Sequence, residues 1–381
     1  LTTKIEWTDE TWNPVTGCTK VSQGCKNCYA ERLWPKVEGA RVKRDGGQPR
    51  PFTTVSMHPD RLEAPLHWRT PRQVFVNSMS DLFHEDVPDE FIDKVFAVMG
   101  TCTWHTFQIL TKRPERMLAW FGERWQAQPE EQQRFLHERI AEAVKEFRPN
   151  FPPFKYNPNG EDRFDQVFGA LDDLDFCTDS DNDHLYTADG KSNLMAGGWP
   201  LKNVWLGVSA EDQATADERI PLLLHTPAAV RFVSYEPALG PVNFNVASAI
   251  GGWPVNVVQR GPNGLFNAMS QLDWIIAGGE SGPHARPAHP DWLRSSRDQC
   301  AAAGVPFFFK QWGNWIHEAQ MLSDGSNVVD RYLIDEDGHA GAIHDWDIRD
   351  GEPASYSIRI PKSAAGRTLD GRTHDEYPAC G

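Results

Sequence analysis

Three cysteines fall within eleven residues, in the order Gly17-Cys18-Thr19-Lys20-Val21-Ser22-Gln23-Gly24-Cys25-Lys26-Asn27-Cys28, a C-x6-C-x2-C spacing. The Cys-x2-Cys turn presents two sulfurs on one side, and the third reaches them across a glycine-containing loop. Thiolates are soft donors that select zinc, copper(I) or iron–sulfur clusters. The other four of the seven cysteines, at 102, 177, 300 and 380, are scattered. An odd total behind the polar start Thr2–Glu10, which does not read as a secretory signal, is not a disulfide framework.

Three neighbouring thiolates without a fourth have a chemical meaning of their own. Structural zinc and electron-transfer [4Fe–4S] clusters take four protein ligands, so a cluster held by three leaves one iron open. Radical S-adenosylmethionine enzymes use that open iron. The methionyl amino and carboxylate groups bind it, and an electron from the cluster cleaves the sulfonium C–S bond. The resulting 5′-deoxyadenosyl radical abstracts hydrogen from substrate. Their triad lies in the loop after the first strand of a complete or partial α/β barrel. An aromatic such as Tyr29, directly after Cys28, often packs near cluster and adenine in that class. The x6 spacing departs from the x3 spacing commonest there. Two other readings stay open: a Cys3His zinc site completed by His58, His84 or His105, and three reduced thiols without metal.

Such a loop needs a scaffold. Short apolar runs at Val74–Asn77, Phe107–Thr111, Val204–Val208, Arg231–Ser234, Trp274–Ala277 and Pro306–Lys310 read as strands, with Thr11–Thr16 as a further one ahead of the cysteines. Helix-like stretches at Asp89–Met99, Ala214–Leu224 and Asp291–Ala303 alternate with them. Continuous apolar strands between helices describe a parallel sheet covered on both faces. The expected fold is α/β, a complete or partial (βα) barrel of the radical-SAM type, with an inserted acidic segment and a C-terminal extension. Its parts are expected at 1–126 (first part of the barrel, with the cluster loop), 127–200 (helical and acidic insertion), 201–315 (second part of the barrel) and 316–381 (extension).

In a parallel barrel, the polar residues just past each strand form the active face. S-adenosylmethionine needs acceptors for its amino group, a ribose partner and a surface for adenine. Asn77, Ser78, Ser80 and Asp81, after the second strand, are the candidates for the amino group. Ser209 and Glu211 are candidates for the ribose, with Glu236 a further carboxylate for ribose or substrate. Lys112 is placed on the cofactor carboxylate or an anionic substrate, with Arg113 beside it as a second cation. Gly278 and Gly279 permit close backbone approach, and Glu280 beside them can bind a hydroxyl or amine. Lys310 and Trp312 follow on the last strand, Trp312 as a stacking surface. His284, Arg286 and His289 form a late polar patch of ordinary loop character.

The chain of 381 residues carries a net charge of −15, with 40% apolar and 24% charged residues. That composition excludes collagen-like, disordered and membrane-spanning classes, and a cytoplasmic location is expected. The charge argues against a general phosphate-neutralising DNA binder, yet it is concentrated. Residues 161–190 hold ten acids against Arg163 alone, whereas Arg32–Arg72 holds nine bases against four acids. Asp179, Asp181 and Asp183 begin like a calcium loop, but His184 stands at the turn glycine and Gly190 at the bidentate glutamate, leaving a solvated acidic loop. The basic segment is compatible with an anionic substrate.

The strings TKIEWTDETWNPVTGC, GCKNCYAERL, HPDRLEAPL, NSMSDLFHEDVP, LTKRPERM, NVWLGVSAEDQ, SYEPALGPV, AGGESGPHARP and GVPFFFKQWG resemble the phage-associated family of three-Cys-motif proteins, which is radical-SAM-like. The likeness spans about residues 3–125 and 201–315 and leaves out the acidic insertion and the tail. It implies a radical-SAM-type barrel in a phage, prophage or mobile-element setting. The expected cofactors are a [4Fe–4S] cluster on Cys18, Cys25 and Cys28 and S-adenosylmethionine. An electron donor, a nucleotide or nucleic-acid substrate and a partner protein complete the expectation, with no membrane. The alternative is a zinc- or iron–sulfur-bearing module that binds nucleic acid or protein without turnover.

Overall fold

The computed structural model describes residues 3, 5–122, 200–244, 272–317, 320, 331–334, 340–342 and 356–379. Several expectations lie outside these residues: the helical and acidic insertion, including the calcium-like start at Asp179, the irregular stretch 245–271, and Cys177 and Cys380.

Seven parallel strands form the main sheet: β1 (Glu10–Trp12), β2 (Gln73–Val76), β3 (Thr106–Thr111), β4 (Val204–Ser209), β5 (Val230–Tyr235), β6 (Trp274–Gly278) and β7 (Phe307–Gln311). They are hydrogen-bonded in chain order, β1 through β7, and the sheet curls into a half-barrel. With strands laid down in sequence order, right-handed crossovers put the described connecting helices on one, outer face of the sheet. The described α-helices of nine residues or more are α1 (Tyr29–Asp45), α2 (Asp89–Thr101), α3 (Pro114–Gly122), α4 (Gln213–His225) and α5 (Pro290–Ala303). Among the described residues, no helix is long and apolar enough to cross a membrane.

Six strands appear where the apolar runs place them, shifted by a residue or less at each end. The run Thr11–Thr16 does not continue as one strand. It breaks at Asn13-Pro14, leaving β1 and a two-residue strand Val15–Thr16 that pairs antiparallel with Ser56–Met57, because proline has no N–H to donate to a ladder.

The two faces of the sheet follow the period-two alternation of its strands. Val76, Ile109, Leu206, Val233, Ile275 and Phe309 belong to the core shared with the helices. Phe75, Trp205, Phe232, Trp274 and Phe308 form a separate aromatic cluster on the concave face. Trp7, before β1, packs against Phe75 with ring centroids 4.7 Å apart, and Tyr377, near the end of the described chain, lies 5.0 Å from Trp274. The concave face is therefore an aromatic floor at the N-terminal end of the strands. Gly207 keeps room for that floor, since a Cβ there would sit 2.5 Å from the Phe232 ring.

Beyond β7 lies a small antiparallel sheet of β8 (Trp315–His317), β9 (Arg331–Ile334), β10 (Ala340–Ala342) and β11 (Tyr356–Arg359), in the order β8-β11-β9-β10. The chain then returns to the barrel edge. Phe309 N–H donates to the His374 carbonyl at 2.9 Å, and Asp375 bridges antiparallel to Phe308, so the open side of β7 is covered.

Candidate metal and cofactor site

Going up the concave face from the floor, each strand changes from aromatic to small or polar. Trp205 gives way to Gly207 and Ser209, Phe232 to Ser234, Trp274 and Ile276 to Gly278, and Phe308 to Lys310. The C-terminal end of the half-barrel is thus a polar mouth over an apolar floor, and the cysteine loop, between β1 and α1, lies at that mouth.

Local chemistry sets the path of the loop. Gly17 has φ +87°, and its N–H donates to the Met79 carbonyl at 3.1 Å. A side chain there would collide with the Thr54 carbonyl as well as strain the backbone. Residues Gln23–Cys25 form a single 3-10 turn, and Cys28 is the N-cap of α1. Gly24 passes so close to Glu211 that a Cβ would overlap its carboxylate.

All three thiols are partly buried and in no disulfide. Burial, with the Asp81 charge adding to it, pushes the Cys18 thiol up to about 11, against the opposing pull of Arg113. Burial likewise raises Cys28, opposed by the backbone of Glu31 and Ala30 at the start of α1. The charge of Cys25 acts on both of the others, which places the three in one electrostatic neighbourhood.

The loop is fastened across the mouth. Ser22 Oγ donates to Glu211 Oε1 at 3.0 Å, and Glu211 also receives Lys112 and, at 3.1 Å, Arg219 from α4. Burial acts to raise the Glu211 pKa, but the charges of Lys112 and Arg219 overcome it and hold the carboxylate ionised. On the β6 side, Asn27 Nδ2 donates to Glu280 Oε2 at 3.0 Å and to the His284 carbonyl at 2.6 Å. Arg286 grips Glu280 through Nε at 2.9 Å and Nη2 at 2.6 Å, and Nη2 reaches on to the Gln23 carbonyl at 3.0 Å. Arg32, in α1, donates to the Ser281 carbonyl at 3.3 Å.

The residues nominated from sequence all gather at this end of the sheet, in two kinds of position. Asp81, Glu211 and Glu280 are buried, and their oxygens are engaged by protein donors. Asp81 accepts from Thr111 Oγ1 at 2.7 Å, Lys112 N–H at 3.0 Å and Phe83 N–H at 3.0 Å. Asn77, at φ +62°, accepts from Val15 N–H through Oδ1, while its buried Nδ2 has no partner. Ser78 pairs with Asn13, Ser80 donates to the Val15 carbonyl at 2.9 Å, and the exposed ring of Tyr29 sends its hydroxyl inward to the Ser78 carbonyl. Gly279 lies so close to the Trp312 carbonyl that no side chain fits.

Glu236 and Lys310 differ from these in standing on the concave face itself. Lys310 Nζ is 2.8 Å from Glu236 Oε2, and Gln311 Nε2 donates to Oε1 at 3.3 Å. A bulge opposite Ala277/Gly278 turns Lys310 and Gln311 toward the same carboxylate. Ser209, at the end of β4, is buried and lies in register with Ser234 of β5.

Trp312 is a correction. It is 1% exposed and donates to the Thr368 carbonyl at 2.8 Å, so it belongs to the core and offers no stacking surface. Ser22, Asn27 and Arg219 also hold the site together, and no role is expected for them from the sequence. Asn27 sits within the cysteine motif, where a polar residue between two ligands was a usable signal. Arg219 is a helix-face arginine with no motif around it.

Among the described residues, no group of three or more His, Cys, Asp or Glu side chains converges on a single metal-ion position. The histidines of the zinc reading have other partners: His58 with Thr16 Oγ1 at 2.7 Å, His84 with Thr19 Oγ1 at 2.8 Å, and His105 with the Pro65 carbonyl at 3.2 Å. His105 precedes β3 and so lies at the opposite rim of the sheet. A cluster makes a different demand, because each of its three thiolates binds a separate iron and the sulfurs stay apart. Cys18, Cys25 and Cys28 are three soft donors on one anchored loop, and the other described cysteines, Cys102 and Cys300, are buried in the hydrophobic core.

The chain matches, over residues 2–378, the model of the family described as "Protein of unknown function (DUF5131)", and it belongs to that family. No curated protein and no solved structure matches it.

Proposed function

We propose that this chain is a radical S-adenosylmethionine enzyme, related in setting to the phage-associated three-Cys-motif proteins, in which Cys18, Cys25 and Cys28 hold a [4Fe–4S] cluster. The observation that carries the reading is the place of the three thiols: one anchored loop, directly after the first strand, at the polar mouth of a parallel half-barrel whose strands run in sequence order. When bound, the cluster would supply the electron that cleaves S-adenosylmethionine and yields the 5′-deoxyadenosyl radical for hydrogen abstraction.

The residues of the mouth divide the remaining work. Asp81, Glu211 and Glu280 hold the loop and its neighbours in place, because their oxygens are already engaged by protein donors. Glu236 and Lys310, partly exposed on the concave side, are the groups placed to touch cofactor or substrate, whereas Ser209 and Asn77 are buried at their strand ends. Gly278 and Gly279 let a ligand approach the backbone of the β6 loop. The aromatic floor below excludes water from that end, which strengthens every polar contact at the mouth.

Anaerobic purification followed by iron, sulfide and zinc analysis, then electron paramagnetic resonance of the reduced protein with and without S-adenosylmethionine, tests the reading. About four irons and sulfides per chain, a spectrum perturbed by S-adenosylmethionine, and release of 5′-deoxyadenosine are expected. Zinc without iron would refute it. Cys18→Ala, Cys25→Ala and Cys28→Ala should each lose the brown chromophore, whereas Cys102→Ala and Cys300→Ala should keep it. Loss with either of the last two would mean a fourth protein ligand and a closed cluster.

A further inference from the structure

Resting on the cluster reading, we propose that Arg113 is a positioning residue for Cys18, donating to its sulfur and favouring the reduced form of the cluster. Arg113 follows β3 in the run Thr111-Lys112-Arg113, and its side chain is 8% exposed. Nη1 lies 3.5 Å from Cys18 Sγ. Nη2 donates to Thr19 Oγ1 at 2.7 Å and to the Thr19 carbonyl at 3.2 Å, while Nε reaches Glu85 at 3.0 Å and Nη1 reaches Asp81 at 3.4 Å. A planar guanidinium held at every nitrogen cannot swing away from the sulfur without giving up the loop backbone beside it.

The physical consequence follows from charge. A thiolate bound to iron keeps lone pairs that accept N–H donors, and a charge-assisted donor in a partly buried place is stronger than a neutral one. Reduction adds one electron, supplied by a low-potential external reductant, to the cluster and its sulfurs. Hydrogen bonds to those sulfurs and nearby charge are among the groups that set cluster potentials. Arg113 therefore favours the reduced state, and Asp81, ion-paired to the same guanidinium, acts with the opposite sign. The three thiols are unequal in this respect. Cys25 has the Ser22 hydroxyl at 3.9 Å and Cys28 heads α1, so among the described residues only Cys18 has a cation as its donor.

Reductive titration with dithionite, followed by electron paramagnetic resonance and accompanied by iron and sulfide assays, tests this on the wild type, Arg113→Gln, Arg113→Lys and Asp81→Asn. In the cluster-loaded fraction of Arg113→Gln, the reduced-to-oxidised ratio at a fixed potential should fall at least tenfold, which is about 59 mV for a one-electron couple. Arg113→Lys should shift the same way by less, and Asp81→Asn should shift toward the reduced form. Loss of the Thr19 anchor alone lowers iron content without moving the potential of the loaded fraction. Unchanged potentials, or shifts of one sign in Arg113→Gln and Asp81→Asn, would overturn the proposal and leave Arg113 a structural anchor. A wild-type protein with zinc and no iron would overturn the cluster reading with it, and the wild-type iron assay separates the two failures.

Discussion

His58 and His105 show how strongly this interior penalises a proton. Burial pushes each down to about 4 from its ordinary value, helped at His58 by the charge of Arg61, and at His105 by that of Arg72 against the opposing hydrogen bond to the Pro65 carbonyl. In the unfolded chain both titrate near ~6.5, so as pH falls below that value the unfolded state takes up protons that the folded state refuses. Stability is complete above the unfolded pKa and is lost progressively between about 6.5 and about 4. Denaturant midpoints measured from pH 7.5 to 4.5 should fall through this window, and His105→Gln should show a shallower acid limb than the wild type. An acid limb unchanged in that variant would mean that other groups set the slope. The cysteines, the glycines beside them and the acids of the mouth were all legible in the sequence at this scale. What was not legible is which acids are spent on the protein itself. Glu211 reads as a ligand-binding carboxylate until Lys112, Arg219 and Ser22 are seen around it, and two of those three come from distant parts of the chain.

Strands were easier to read than helices. A buried parallel strand is a short uninterrupted apolar run, and Trp274–Gly278 or Phe307–Gln311 can hardly be anything else. Helix α1 has no such signature. It starts at the cysteine motif, contains Pro35 and Gly39, and shows Leu33 and Val37 to solvent while burying Trp34 and Glu38, so its apolar residues mark no single face. Helix α3 is only nine residues long and begins on Pro114, too short a stretch for periodicity to be evident. Gly207 tests the packing of strand against strand. Gly207→Val would drive a branched side chain into the Phe232 ring and should cost about 1–3 kcal/mol, read as a lower urea midpoint. Gly39→Ala, where a Cβ meets nothing within 4 Å, should be stabilising by roughly 0.5–1 kcal/mol. Equal midpoints for the two variants would mean that the concave floor is looser than its ring contacts indicate.

At the scale of the molecule, the half-barrel is held at both ends by different means. The floor is joined by aromatic contacts from both flanks of the described sheet, Trp7 before β1 and Tyr377 after β7, and Lys362 pairs with Glu6 at 3.1 Å across the same gap. The mouth is joined by the cysteine loop, which leaves β1 and is bonded to Glu211 after β4 and to Glu280 after β6. A parallel sheet hydrogen-bonded only between neighbours can melt in sections, each unit holding mainly to the next. The loop instead ties the first unit to the fourth and sixth, so those sections must unfold together. Glu280→Gln, which weakens that tie while leaving the floor intact, should split one calorimetric transition into two. A single transition at an unchanged temperature would show that the floor alone makes the domain cooperative. By the same linkage, any ligand that fixes the loop stabilises every strand at once, by about 2.7 kcal/mol at a hundred times its dissociation constant. A thermal-shift screen of the whole domain is thereby a sensitive detector for what the mouth binds.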